Sequence, residues 1–261
     1  ICNYYNRSIK IKNVKKIKID ISKKFFIKDE IDTIIHCASK TPVNCTSDKQ
    51  IYTQNVKMMK SLILLSKKKK IKNFIFLSSV SAYGDIKKKL LYENLKPVQP
   101  NSYGRSKIYC ENLLSVFSKK NNIKYLNVRL PGVIGYGSHG NFLSYVLKNI
   151  VSNKVIKASN ESSFFNNVIY VEELSKFLEI FIKKGSCKFN HINIASKNRL
   201  KIKTVINLIY RFLKKPKKIV WVESKKKPFC IDFNRALKCG YKPESVKNSL
   251  KKIVLDYRNN L

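Results

Sequence analysis

Histidine, glycine and acidic residues are all scarce in this chain. Its three histidines, His36, His139 and His191, stand far apart, so a histidine-rich metal centre is not indicated. The seven cysteines, at positions 2, 37, 45, 110, 187, 230 and 239, include no Cys-x-x-Cys pair. Their odd number and their spacing favour free thiols in a reducing compartment over a disulfide framework. No apolar run approaches the roughly 20 residues of a membrane-crossing helix; the run Leu62 to Leu65 is far too short. The start carries no signal-peptide pattern. Membrane insertion is therefore not expected, and a cytoplasmic location is. The first of eight glycines is Gly84, so the first 83 residues hold no glycine-rich turn able to bring backbone N–H groups close to a phosphate.

The shortage of acid leaves a formal charge of +38, from 54 basic against 16 acidic residues. Such a balance ordinarily points to nucleic acid. Only seven of the basic residues are arginine, however, and the lysines fall in runs such as Lys67 to Lys70 among many Ile and Asn. A Lys-Ile-Asn bias is what codon drift toward A and T produces along a whole chain. The lysines interrupt no motif and form no arginine-aromatic platform, so no nucleic-acid partner is expected. At 44% hydrophobic over 261 residues, the chain can bury a sizeable core as one large α/β unit or two small domains.

What is present centres on two segments. Residues 74–84 read Phe-Ile-Phe-Leu-Ser-Ser-Val-Ser-Ala-Tyr-Gly: an apolar run that ends abruptly in hydroxyls, as a buried strand does where its carboxyl edge opens into a site. Residues 102–114 read Ser-Tyr-Gly-Arg-Ser-Lys-Ile-Tyr-Cys-Glu-Asn-Leu-Leu. Tyr103 and Lys107 are four apart and share one face of a helix. A free tyrosine, with a pKa of about 10, is a poor base near neutrality. A neighbouring ammonium favours the phenolate, and the hydroxyl of Ser79 can hold a substrate oxygen while the proton moves. The set is a proton-transfer device for an alcohol becoming a ketone. Further strands are expected near 1–5, 16–20, 31–36, 72–77, 123–130 and 188–194. Helices are expected over 52–66, 103–114, 142–151, 202–213 and 246–257.

The strand ending in Ser78-Ser79, the Tyr83-Gly84 that follows, the proline-bearing loop and Tyr103-Gly-Arg-Ser-Lys107 together resemble the extended branch of the short-chain dehydrogenase/reductases, the NAD-dependent epimerase/dehydratase family. The resemblance implies a Rossmann-type, doubly wound parallel sheet of the α/β class with a smaller C-terminal substrate-binding part. Residues 1–135 would be the NAD(P)-binding part, lacking its first strand and Gly-rich loop. Residues 136–261 would bind substrate, with 165–195 returning to the sheet. The natural start would be missing by about one strand-turn-helix unit, and the chain as given would bind NAD(P) weakly or not at all. The competing reading is a protein that never had the loop and is not an enzyme.

The same resemblance distributes roles. Arg7, where no acidic residue ends the second strand, could accept a 2′-phosphate. Asp20 and Ile21 would lie beside the adenine. Cys37, Ala38 and Ser39 match a His-x-Ala-Ala/Gly segment where the cofactor passes close to the backbone, with His36 structural. Asn55 would support the active-site backbone. Pro131 and Val133 would meet the nicotinamide carboxamide. Tyr103 and Lys107 would also bind the nicotinamide ribose. Ser81 and Tyr83 would lie near the sugar, and Asn141 near a nucleotide-sugar's phosphates and base. Asn166 would also bind substrate, near a position where many members carry a phosphate-holding arginine that this chain lacks. The 4,6-dehydratases have an Asp-Glu pair after the hydroxyl residue; here Val80 and Ser81 stand in those positions, which speaks against dehydration. The expectation is an NAD(P)-dependent epimerase or reductase acting on a nucleotide-activated sugar, at C4, in bacterial surface-polysaccharide synthesis, with homodimer formation compatible. The alternative is a degenerate, non-catalytic binding module.

Overall fold

The computed structural model describes residues 1–4, 12–184, 187–225 and 227–259. The elements run, in chain order, β1 (Cys2–Tyr4), β2 (Lys16–Lys18), β3 (Thr33–His36), α1 (Asp48–Lys69), β4 (Asn73–Ser79), β5 (Leu90–Leu91), α2 (Ser102–Lys120) and β6 (Lys124–Leu130). They continue with β7 (Gly132–Ile134), α3 (Phe142–Val151), β8 (Ile156–Ala158), β9 (Phe164–Phe165), β10 (Val168–Tyr170), α4 (Val171–Lys184) and β11 (His191–Asn193). The last are β12 (Leu200–Lys201), α5 (Ile202–Leu213), β13 (Ile219–Trp221), β14 (Cys230–Ile231), α6 (Asn234–Lys238) and α7 (Val246–Arg258). Residues 1–76 and 101–125 form one compact unit, and residues 77–100 and 126–261 form another.

In the first unit, β3 pairs in parallel with the first half of β4, Ile34 opposite Phe74 and His36 opposite Phe76. Lys124, at the start of β6, donates its N–H to the Lys72 carbonyl. α1 starts where Ser47 accepts from the Gln50 N–H. It ends in Lys67 to Lys69, whose charges suit a helix C-terminus. Its apolar face, with Val56, Met59, Leu62 and Ile63, is buried with Phe74, Phe76, Leu114 and Phe117 in one core. β1 and β2 form a separate parallel pair. The two strands expected first in the chain thus form a sheet of their own, distinct from the main sheet.

In the second unit, the continuation of β6 pairs in parallel with β11, Asn127 opposite His191 and Arg129 opposite Asn193. The main sheet therefore has the order β11-β6-β4-β3 and is parallel, as expected of a Rossmann-type fold. A second core gathers Val146, Leu147 and Ile150 of α3, Ile206 and Ile209 of α5, and Leu250 and Ile253 of α7. Short pairs β10 with β7, β13 with β8 and β12 with β9 line it, while β14 with β5 places Ile231 and Leu91 in a separate cluster with Tyr83 and Ala195. Cys187 and Cys239 are joined as a disulfide with Cα atoms 5.0 Å apart. The expectation of free thiols is corrected for this pair. The two cysteines stand 52 positions apart in the chain, and only the fold brings the segment after α4 to the end of α6.

Candidate active site

α2 sets Tyr103 and Lys107. Asn101 caps the helix, its side chain accepting from the Gly104 N–H at 2.9 Å, which places Tyr103 in the first turn. Lys107 is 3% exposed. Its Nζ lies 4.7 Å from the Phe76 ring centroid and 5.4 Å from that of Tyr103, within cation–π range of both rings. Burial pulls the Lys107 pKa down to about 8, while Cys110, Glu111 and Cys37 pull the other way. His36 stacks on the opposite strand's Phe76, centroids 5.3 Å apart. Burial, with Lys107 adding to it, drives the His36 pKa down to about 3, so the ring is neutral. Among the described residues its Nδ1 meets no hydrogen-bond partner.

Asn55 ties this face together. Its side chain donates to the Ser106 Oγ at 2.9 Å and to the Lys40 carbonyl at 3.0 Å. It accepts from the Lys40 N–H at 2.8 Å and from the Ser39 hydroxyl at 3.2 Å. Ser106 in turn donates to the Tyr103 carbonyl at 2.7 Å. One buried amide therefore links the loop after β3 to the turn that carries Tyr103. Cys37 and Ala38 are exposed in that loop. Asp20, after β2, accepts from the Ser22 hydroxyl and N–H, which hold its pKa below the ordinary carboxylate value. Ile21 packs at the edge of the first unit's core. Arg7 lies outside the described residues.

Ser79 ends β4 in the second unit, with extended backbone. Its side chain accepts from the Ser81 N–H at 3.1 Å, opening a 3₁₀ turn over Val80–Tyr83. Tyr83 is buried; its hydroxyl donates to Asn193 Oδ1 at 2.7 Å and the Arg129 guanidinium lies 4.7 Å over its ring. Gly84 closes the turn at φ +72°, where a Cβ would sit 2.0 Å from the Val98 carbonyl oxygen. Pro131 and Val133 stand together at β7, and the Asn141 amide donates to the Val133 carbonyl at 3.2 Å. Asn141 also caps α3 in a reciprocal capping box with Ser144. Asn166 is buried, its amide donating to the Ile231 carbonyl and accepting from the Ile231 N–H, both at 2.8 Å. The side chains of Tyr83, Asn141 and Asn166 are thus engaged within the protein. Phe76, Ser106, Glu93 and Asn193 were not singled out from sequence, because each acts through a neighbour distant along the chain.

A parallel Rossmann-type sheet with a buried lysine one turn from a tyrosine, beyond a strand ending in serine, defines a short-chain dehydrogenase class of protein. The model of the NAD dependent epimerase/dehydratase family matches residues 4–195, and the chain belongs to that family. It is 33% identical over 115 residues to a UDP-glucose 4-epimerase of Lactobacillus helveticus, covering 43% of this chain and 34% of that protein. It is 26% identical over 187 residues to the N-acetyl-alpha-D-glucosaminyl-diphospho-ditrans,octacis-undecaprenol 4-epimerase of Escherichia coli, covering 70% and 55% of the two. The matches thus span between a third and somewhat over half of these curated relatives. Among solved structures, a UDP-N-acetylglucosamine 4-epimerase from Methanobrevibacter ruminantium superposes with a TM-score of 0.80 at 19% identity, over 96% of this chain and 84% of that one. At that identity the likeness is one of fold. Among the described residues no helix is long and apolar enough to cross a membrane.

Proposed function

We propose that the protein is an NAD(P)-dependent epimerase or reductase acting at C4 of a nucleotide-activated sugar, with a setting in surface-polysaccharide synthesis. The observation that carries this reading is the buried ammonium of Lys107 beside the Tyr103 ring, on a family member whose curated relatives are sugar 4-epimerases. Tyr103 exchanges a proton with the sugar hydroxyl. Lys107 stabilises the phenolate. Ser79 orients the oxygen that becomes a carbonyl. Val80 and Ser81 offer no carboxylate pair for removing water. When bound, NAD(P) supplies the hydride chemistry, accepting the hydride from C4 and returning it in an epimerase, or donating it as NAD(P)H to a 4-keto sugar in a reductase. Exposed Cys37 and Ala38, with Lys107 nearby, fit its nicotinamide half, and Asn55 holds the loop that carries them. The described residues before Gly84 include no glycine turn for its pyrophosphate half.

The test supplies NAD+ or NADPH with UDP-glucose, UDP-N-acetylglucosamine and their C4 epimers or 4-keto forms, and follows products by NMR. Epimer formation without net cofactor change assigns an epimerase. Stoichiometric NADPH consumption assigns a reductase. Neither outcome with any of these sugars, in protein shown by fluorescence titration to hold NAD(P), rejects the reading and leaves a non-catalytic binding module.

A further inference from the structure

Behind Ser79, the second unit holds a buried polar network that the proton-transfer chemistry does not use. Its centre is Glu93, whose side chain is 3% exposed. Glu93 Oε1 accepts from the Asn193 N–H at 2.9 Å. Its Oε2 lies 3.6 Å from Arg235 Nε, and its main-chain carbonyl accepts from Arg129 Nη1 at 3.4 Å. Arg129 and Asn193 are register partners at the ends of β6 and β11. Both converge on one ring: Arg129 lies over Tyr83, and Asn193 accepts the Tyr83 hydroxyl proton. Asn193 Nδ2 also donates to the Leu91 carbonyl, two residues before Glu93. Tyr83 closes the 3₁₀ turn whose first residue follows Ser79.

The chain of contacts runs one way. The turn Val80–Tyr83 is short; the Ser81 N–H meets Ser79 Oγ, the Gly84 N–H meets the Ser81 carbonyl, and the Tyr83 carbonyl accepts from the Val98 N–H at 2.9 Å. A 3₁₀ turn of this length has poor hydrogen-bond geometry and is held by what packs on it. Tyr83 is a side chain through which the turn is anchored; the Glu93 carboxylate fixes the Asn193 backbone, and the Glu93 main-chain carbonyl meets Arg129. A buried carboxylate that accepts a backbone N–H is costly to remove, because the Asn193 N–H then loses its partner, whereas the part-exposed Arg235 can turn to water. We infer that the Glu93 carboxylate is a positioning group: acting through Asn193 and Tyr83, it sets the turn that presents the Ser79 hydroxyl.

This rests on the reading of Ser79 as the group that holds the substrate oxygen, and the test separates the two. Hydrogen exchange is measured at the Ser81 and Gly84 amides in the wild type, Glu93→Ala, Glu93→Gln and Tyr83→Phe. In parallel, kcat and KM are measured with UDP-glucose and UDP-N-acetylglucosamine. Glu93→Ala and Tyr83→Phe are expected to speed exchange at those two amides roughly tenfold or more, while the β7 and β10 amides keep their protection. kcat is expected to fall roughly 100-fold in Glu93→Ala, as for a misplaced reacting group, with KM little changed. Glu93→Gln keeps an oxygen for the Asn193 N–H and should recover most of both signals. Should Glu93→Ala fail to fold, Tyr83→Phe decides, since it removes one hydroxyl and leaves the ring under Arg129. A wild type without turnover rejects the enzymatic reading, and exchange still decides the positioning role. Unchanged exchange at Ser81 and Gly84 overturns the inference, as does a loss of kcat and KM together that Glu93→Gln fails to recover.

Discussion

Lys107→Met tests the buried ammonium directly. In the folded protein the Lys107 pKa is about 8, against 10.5 for the free side chain, with burial as the main cause. The sign follows from proton counting. Between these two values the unfolded chain holds more protons at this position than the folded one, so folding gains stability as pH rises through the window. The contribution is complete above the unfolded pKa and is lost as pH falls toward the folded one. At pH 7 the charged lysine costs the fold about 3 kcal/mol relative to an uncharged group, at about 1.4 kcal/mol per pKa unit. At pH 10 the cost is about 1 kcal/mol or less. Methionine is close in shape and carries no charge. Urea unfolding of both proteins at pH 7, 8, 9 and 10 should show the wild type gaining about 2–2.5 kcal/mol relative to Lys107→Met across that range. The remaining lysines titrate in both proteins and cancel in the difference. Activity should move in the opposite sense: Lys107→Met lowers turnover and shifts its pH optimum upward, because Tyr103 loses its cation. A stability difference that stays constant from pH 7 to 10 would refute the claim that Lys107 is held desolvated.

The other predictions are shorter. Tyr103→Phe keeps the ring but loses the proton-carrying oxygen, so steady-state assays should show turnover reduced about 10²–10⁴-fold with nucleotide-sugar affinity, read by calorimetry, within a few-fold. Wild-type turnover in this variant would remove the central chemical claim. Asn166→Ala leaves the buried Ile231 N–H and carbonyl without their side-chain partner, and urea unfolding should register roughly 2–4 kcal/mol of lost stability; a loss below about 0.5 kcal/mol would place Asn166 outside the structural network. Gly84→Ala forces a Cβ against the Val98 carbonyl at positive φ, which should cost more than about 3 kcal/mol or prevent folding, as read by thermal melts.

Some of the fold was readable because its signals are local. α3 and α5 have the expected bounds, 142–151 and 202–213. α3 begins at a capping box and α5 is strongly amphipathic over its whole length, so both patterns lie within one window. α1 runs from 48 to 69 rather than from 52 to 66. Its cap at Ser47 precedes the apolar stripe, and its last turn continues into lysines that carry no periodicity but favour a helix C-terminus. The pairs β12 with β9 and β14 with β5 span two residues per strand, too few for a period of two to show. The network around Glu93 was invisible for a different reason. Glu93 and Asn193 are 100 residues apart, and neither stands in a pattern that asks for a buried carboxylate. Tyr103 and Lys107 were legible because their chemistry needs them one helical turn apart.

The excess of lysine shows how burial separates composition from function. The sequence holds 54 basic residues, and almost all can stay solvated at little cost, so their number says little about any site. An ammonium out of water costs several kcal/mol and is seldom retained without a role or a partner. Among the described residues, Lys107 is the lysine that the fold buries, and it is buried beside Tyr103 and Phe76 rather than at random. Drift in base composition adds lysines wherever they are tolerated, and the core does not tolerate them. A lysine present there is held against that cost, and its depressed pKa is the measure of it. The same reasoning applies to Glu93 in the second unit, whose pKa burial raises. Lys107 and Glu93, both with pKa values displaced by burial, thus stand on α2 and behind the Ser79 turn, the elements to which the proposed chemistry assigns its proton carrier and its oxygen-holding hydroxyl.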